Sequence, residues 1–149
     1  MKSFFTLGLV LLVGCSGDDG EGTEEASLAA LEASLDTYAS WDQVEEGIVP
    51  GFAVHGEHVQ IWLNDVAWDT IDAAGGGDMA EGAILTKESY EDADGVTLLN
   101  ISTMYRTADG WHYAQFTPEG ELELEGFEIP GCHTCHSSGS QDGVFVTTW

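Results

Sequence analysis

The chain has 149 residues, enough for one compact domain with a real core and little room for a second. Three basic side chains against 27 acidic ones give a formal net charge of −24, which excludes nucleic acid as a partner because almost nothing remains to neutralise phosphate. So acidic a surface repels anionic lipid, stays soluble by self-repulsion, and suits either a saline medium or steering onto a basic redox partner.

A basic start at Lys2, an apolar run from Phe4 to Val13, and then Gly14 and Cys15 have the layout of an export signal. The run is too short to span a bilayer, which takes about 20 apolar residues. Leu12-Val13-Gly14-Cys15 resembles the bacterial lipoprotein box, in which the Cys becomes the lipidated first residue. An ordinary cleaved signal with an incidental Cys is the alternative. The expectation is residues 1–14 as signal, lipidated Cys15 and an acidic tether over 15–25, and a folded domain over 26–149. The protein would then be a periplasmic or cell-surface lipoprotein, and Ser16 is compatible with outer-membrane sorting in a diderm host.

From Ala26 the pattern is helical, with Leu28, Leu31, Leu35 and Tyr38 at three- and four-residue steps, ending near Trp41. Val59 to Asn64 alternates as a half-buried strand, and Asp65 would cap a short helix carrying Val66, Trp68 and Ile71. Gly75-Gly76-Gly77 breaks the chain. Three further strands are predicted over Ala83–Glu88, Val96–Tyr105 and Trp111–Phe116, separated by turn-rich EDADG and TADG. Such close spacing favours antiparallel hairpins. The last stretch is apolar at Val144-Phe145-Val146. The predicted class is α+β, a mainly antiparallel sheet with flanking helices in one domain.

Cys132-His133-Thr134-Cys135-His136 has the C-x-x-C-H spacing of haem c attachment. Two thiols a turn apart can add across the two haem vinyl groups, and the adjacent His136 then lies beneath the iron. Structural zinc commonly takes four ligands from two separated pairs, and the remaining Cys here is the expected anchor. A redox dithiol would want a βαβ context. His133 reads as a solvent-facing filler. His55, His58, His112, Met79 and Met104 are the possible sixth ligands, each with an ordinary core or surface reading beside it.

This motif with Asp142-Gly143-Val144-Phe145 after it, Tyr38-Ala39-Ser40-Trp41 and His55-Gly56 upstream, and Gly82-Ala83-Ile84-Leu85-Thr86-Lys87-Glu88 between, resembles cytochrome P-460 and its relative cytochrome c′-beta. The resemblance runs from about Tyr38 to the C-terminus. It implies a mostly antiparallel β fold, commonly a homodimer, and one five-coordinate haem c per chain with an open distal face. The P-460 branch oxidises hydroxylamine and the c′-beta branch binds nitric oxide and related gases. In the P-460 branch a lysine at the position of Lys87 bonds to the haem ring, and a carboxylate on the following strand assists proton transfer. Here that strand holds no Asp or Glu, and Asn100, Ile101 and Ser102 stand near the position. An iron-bound amine needs a base within hydrogen-bond reach to lose its protons.

Three readings follow: an oxidoreductase acting on hydroxylamine or nitric oxide, a gas-binding protein with the same open iron, and an electron carrier in which Met or His fills the sixth position. After signal removal Lys87 and Arg106 are the only basic side chains. Arg106 is therefore expected to neutralise a haem propionate.

Overall fold

A computed structural model of the chain describes residues 19–51, 55–74 and 78–138. The export signal, Cys15, the Gly75–Gly77 break and the Val144–Val146 stretch lie outside the described residues. Helix α1 spans Asp19–Ser34, and a 3₁₀ turn at Tyr38–Ser40 leads to the short strands β1 (Asp42–Gln43) and β2 (Val49–Pro50). Strand β3 (His58–Leu63), helix α2 (Asp65–Ala74), strands β4 (Ile84–Tyr90), β5 (Leu98–Thr107), β6 (Gly110–Phe116) and β7 (Leu122–Gly126), and helix α3 (Pro130–His136) complete the order. The fold is α+β, one antiparallel sheet in the order β1-β3-β4-β5-β6-β7, with β2 also on β3. Among the described residues no helix is long and apolar enough to cross a membrane.

The hairpins are closed by side-chain oxygens standing in for absent ladder partners. Asp92 accepts from the amides of Asp94, Val96 and Thr97 at 2.9–3.1 Å in the β4–β5 turn. Those bonds favour its carboxylate and lower its pKa. Thr107 Oγ1 accepts from Asp109 N at 3.1 Å between β5 and β6. Thr117 Oγ1 accepts from the amides of Glu119 and Glu121 before β7.

Directly paired residues share a face of the sheet. Ile61, Lys87, Ser102 and Gln115 form one cross-strand row, and Leu63, Leu85, Met104 and Tyr113 form the next. α2 and α3 cover this first face, where Leu63, Ala67, Ile71, Met79, Leu85, Met104, Trp111 and Tyr113 make the larger core, with Cys132 and Ile129 packed against it. α1 covers the second face, where its Leu31, and Leu35 just past its end, pack with Ile101, Ala114 and Phe116.

Several expectations are corrected. α1 begins at Asp19, so the second half of the expected acidic tether belongs to the helix. It stops at Ser34, whose hydroxyl bonds back to the Leu31 carbonyl at 2.7 Å, and Thr37 begins a separate turn. α2 is capped by Asn64, whose Oδ1 accepts from Ala67 N at 3.1 Å and from Ile84 N at 3.0 Å, while Asp65 is its first residue. β5 starts at Leu98 because Val96 and Thr97 are drawn into the Asp92 turn.

Candidate functional site

The chemistry-bearing residues are set out by two elements facing each other. α3 opens on Pro130, which lacks an amide that the first turn would leave unpaired in any case. Within it Cys132, Cys135 and His136 stand at i, i+3 and i+4, which puts them on one side of the helix. Cys132 is half-buried against the larger core, and Cys135 is exposed. Both thiols are free. His133 faces solvent, as the sequence suggests.

Lys87 sits mid-strand on the first face of β4, between Ile61 and Ser102. Its residue is half-buried and its amine has no hydrogen-bond or ion-pair partner among the described residues. Burial lowers its pKa from 10.5 to about 7, opposed only by attraction to the Cys132 sulfur. Burial in turn raises the Cys132 pKa, and Lys87 pulls it back. The two groups are therefore neighbours across the gap between sheet and helix.

His55 joins them. Its ring centroid lies 6.1 Å from that of His136, at 72° between planes, and the Tyr113 ring centroid lies 5.6 Å from that of His136. Burial first, then the charges of Lys87 and His136, lower the His55 pKa to about 4. Lys87, His55, Tyr113, Cys132 and His136 thus gather on the first face from four separate parts of the chain.

The wall beside Lys87 is polar and uncharged. Ser102 Oγ donates to Asn100 Oδ1 at 3.2 Å, and Ser89 Oγ is fully buried without a partner among the described residues. Glu88 does not contribute, because strand alternation turns it to the second face. There Tyr38 donates to one carboxylate oxygen at 2.5 Å and Tyr90 to the other. Burial and this carboxylate raise the pKa of both phenols. Arg106 shares the first face, but its guanidinium lies 5.8 Å from the Trp111 ring centroid and Nη1 donates to the Thr107 carbonyl at 3.4 Å.

The possible sixth ligands separate cleanly. Of the five, His55 alone is seen against the His136 ring among the described residues. Met79 and Met104 pack in the larger core. His58 pairs with Tyr90 at the start of β3, on the second face. His112 is fully buried on that face, stacked on Phe127 at 4.7 Å, with Nε2 2.7 Å from Glu125 Oε2. Sequence reasoning missed this pair and its neighbour Glu24, whose carboxylate brings three donor atoms within 4.8 Å of one another. It also missed Tyr113 and the place of His55, since only the folded sheet relates these positions to α3. Comparison with known proteins finds no family model that matches the chain and no curated protein similar to it.

Proposed function

We propose that the chain is an exported mono-haem c-type cytochrome of the cytochrome P-460 and c′-beta kind, an oxidoreductase acting on hydroxylamine or nitric oxide. One observation carries the reading. Lys87, in the middle of the sheet, lies within electrostatic reach of Cys132 of C-x-x-C-H, a neighbourhood that supports a lysine bonded to the haem ring. The residues fit the group: two free thiols one turn apart, an imidazole directly after them, an apolar floor of Leu85 and Met104, and an orphaned buried hydroxyl on Ser89. Bound there by two thioethers, haem supplies one-electron chemistry and a site for a small nitrogenous ligand.

Each side chain then has a task. Cys132 and Cys135 would hold the ring, and His136 would ligate the iron. Lys87, about half uncharged near pH 7, would offer its amine to the ring edge, where the new nitrogen–carbon bond replaces a carbon–hydrogen bond, the protons passing to solvent and two electrons to an external oxidant of the peroxide class. Asn100, Ser102 and Ser89 offer hydrogen bonds on the polar wall, while Leu85 and Met104 exclude water. Arg106 is assigned to a propionate. Cys15 anchors the protein in a bacterial membrane, the outer one in a diderm host. The acidic surface suits a basic electron acceptor, and a homodimer is the expected assembly. A second reading, a nitric oxide-binding protein, is favoured by the absence of any carboxylate on the site face of β5.

Expression in a host with haem c maturation tests the assignment. The denatured chain should keep the haem mass, and tryptic mapping should join one haem to both the Cys132–Cys135 and the Lys87 peptides. Lys87→Ala should lose the red-shifted ferrous Soret band and most hydroxylamine turnover. Haem that leaves completely in acid–acetone would refute the attachment. An unmodified Lys87 peptide with an ordinary high-spin spectrum would favour the gas-binding reading.

A further inference from the structure

We propose that Glu24, His112 and Glu125 bind a first-row divalent cation of the zinc kind, which clips α1 to β6 and β7. The site is separate from the haem reading above, and either can fail alone. Register assembles it. Ala114 pairs with Glu125, so both share the second face, and alternation along β6 puts His112 there as well, a diagonal step from Glu125. α1 crosses that face and carries Glu24. One donor atom from each of the three residues lies within 4.8 Å of the other two. His112 is the fixed member, its ring fully buried and stacked on Phe127 at 4.7 Å, with Nε2 2.7 Å from Glu125 Oε2. Glu24 and Glu125 are exposed, so their carboxylates can adjust to an ion.

Charge, space and donor chemistry point to the same occupant. Two carboxylates converge on this imidazole, while Lys87 and Arg106, the lysine and arginine of the described residues, both stand on the first face. A pocket of about 560 Å³ opens beside them, lined by Glu24, Glu125, Phe127 and Glu128 among others, with room for an ion and the water that completes its shell. One imidazole nitrogen with two carboxylate oxygens suits zinc and its first-row neighbours, whereas calcium and magnesium take oxygen alone. Ligands about 2 Å from a tetrahedral ion stand about 3.3 Å apart, so the His112–Glu125 contact opens a little and Glu24 swings in. Nδ1 of His112 has no partner among the described residues. No contact there fixes the tautomer, and the proton between Nε2 and Glu125 passes to Nδ1 or to solvent as the ion takes Nε2. Leu31 holds α1 to the sheet, and the ion adds a second point about two turns earlier.

Titration of the chelator-stripped full chain with zinc chloride tests this. Any free thiols are alkylated first, so that the C-x-x-C-H segment does not compete, and about 0.1 M sodium chloride with excess magnesium suppresses diffuse attraction to the acidic surface. Zinc should shift the ¹⁵N resonance of His112 Nε2 to the coordinated range and slow hydrogen exchange in α1, saturating at one ion for this site. Glu24→Gln, at an exposed position that leaves the His112–Glu125 pair in place, should weaken zinc binding at His112 roughly tenfold or more. Glu125→Gln should do the same, and if it does not accumulate, Glu24→Gln decides the matter alone. Zinc that moves other histidine resonances but not that of His112, binding abolished by magnesium, or an affinity at His112 unchanged in Glu24→Gln overturns the proposal.

Discussion

Lys87 is destabilising as it stands. Its folded pKa of about 7 lies well below the 10.5 of an unstructured lysine, so unfolding takes up a proton between those values. Stability therefore rises with pH across that window and is lowest, and flat with respect to this group, below about pH 7. Lys87→Met should stabilise the haem-free protein at and below neutrality by a few kcal/mol, since each tenfold loss of proton affinity on folding costs about 1.4 kcal/mol, with the gain fading as pH rises from about 7 to about 10.5. Urea titrations of both proteins at several pH values measure it. Ring attachment, if it uses the neutral amine, should speed up as pH climbs through about 7. At the opposite face His112 is fully buried beside a carboxylate. Removing Glu125 would leave the fully buried imidazole without its 2.7 Å partner. Glu125→Ala should cost about 1–3 kcal/mol, read from the urea midpoint at constant slope.

Elements with strong internal periodicity were legible in the sequence. β3, β4, β6 and α2 begin within a residue or so of their predicted starts, because alternating and helical apolar spacing dictates each of them locally. β7 was not, since Leu122 and Leu124 are exposed between glutamates and the strand is held by pairing with β6 rather than by burial. β1 and β2 are two-residue pairings on β3 with no periodicity to read. The C-x-x-C-H motif is visible in the sequence as a spacing, while the arrangement around it depends on the register of β4 against its neighbours. α1 illustrates the tertiary share of helix stability. Its packing on the sheet is little more than Leu31, with Leu35 just past its end, on Phe116 and Ile101, so Leu31→Ala should cost about 2–5 kcal/mol and loosen α1 before the sheet. Hydrogen exchange resolved by segment would detect that order.

At the scale of the whole molecule, 27 acidic side chains repel one another across a single small domain. Raising salt from about 0.1 M to about 1 M shortens the screening length from about 10 Å to about 3 Å. The thermal midpoint of the soluble domain should rise by several degrees over that range, and calorimetry in sodium chloride would show it. A midpoint that is flat or falls would mean that self-repulsion does not limit stability. If the proposed basic electron acceptor exists, the same screening should slow association with it, so stability and docking rate are expected to respond to salt in opposite directions.

Alternation along β4 sends two adjacent residues to opposite worlds, Lys87 beside Cys132 and Glu88 clamped by Tyr38 and Tyr90 under the other side of the sheet. A slip of one residue would exchange them, driving a carboxylate into the site and an amine in among the phenols. The two tyrosine bonds therefore act as a ratchet on strand position. Changes of chain length are tolerable in the turn over residues 91–97, beyond the clamp, and ruinous between Ala83 and Lys87, where a single deleted residue would invert the site while leaving the composition of the strand almost untouched.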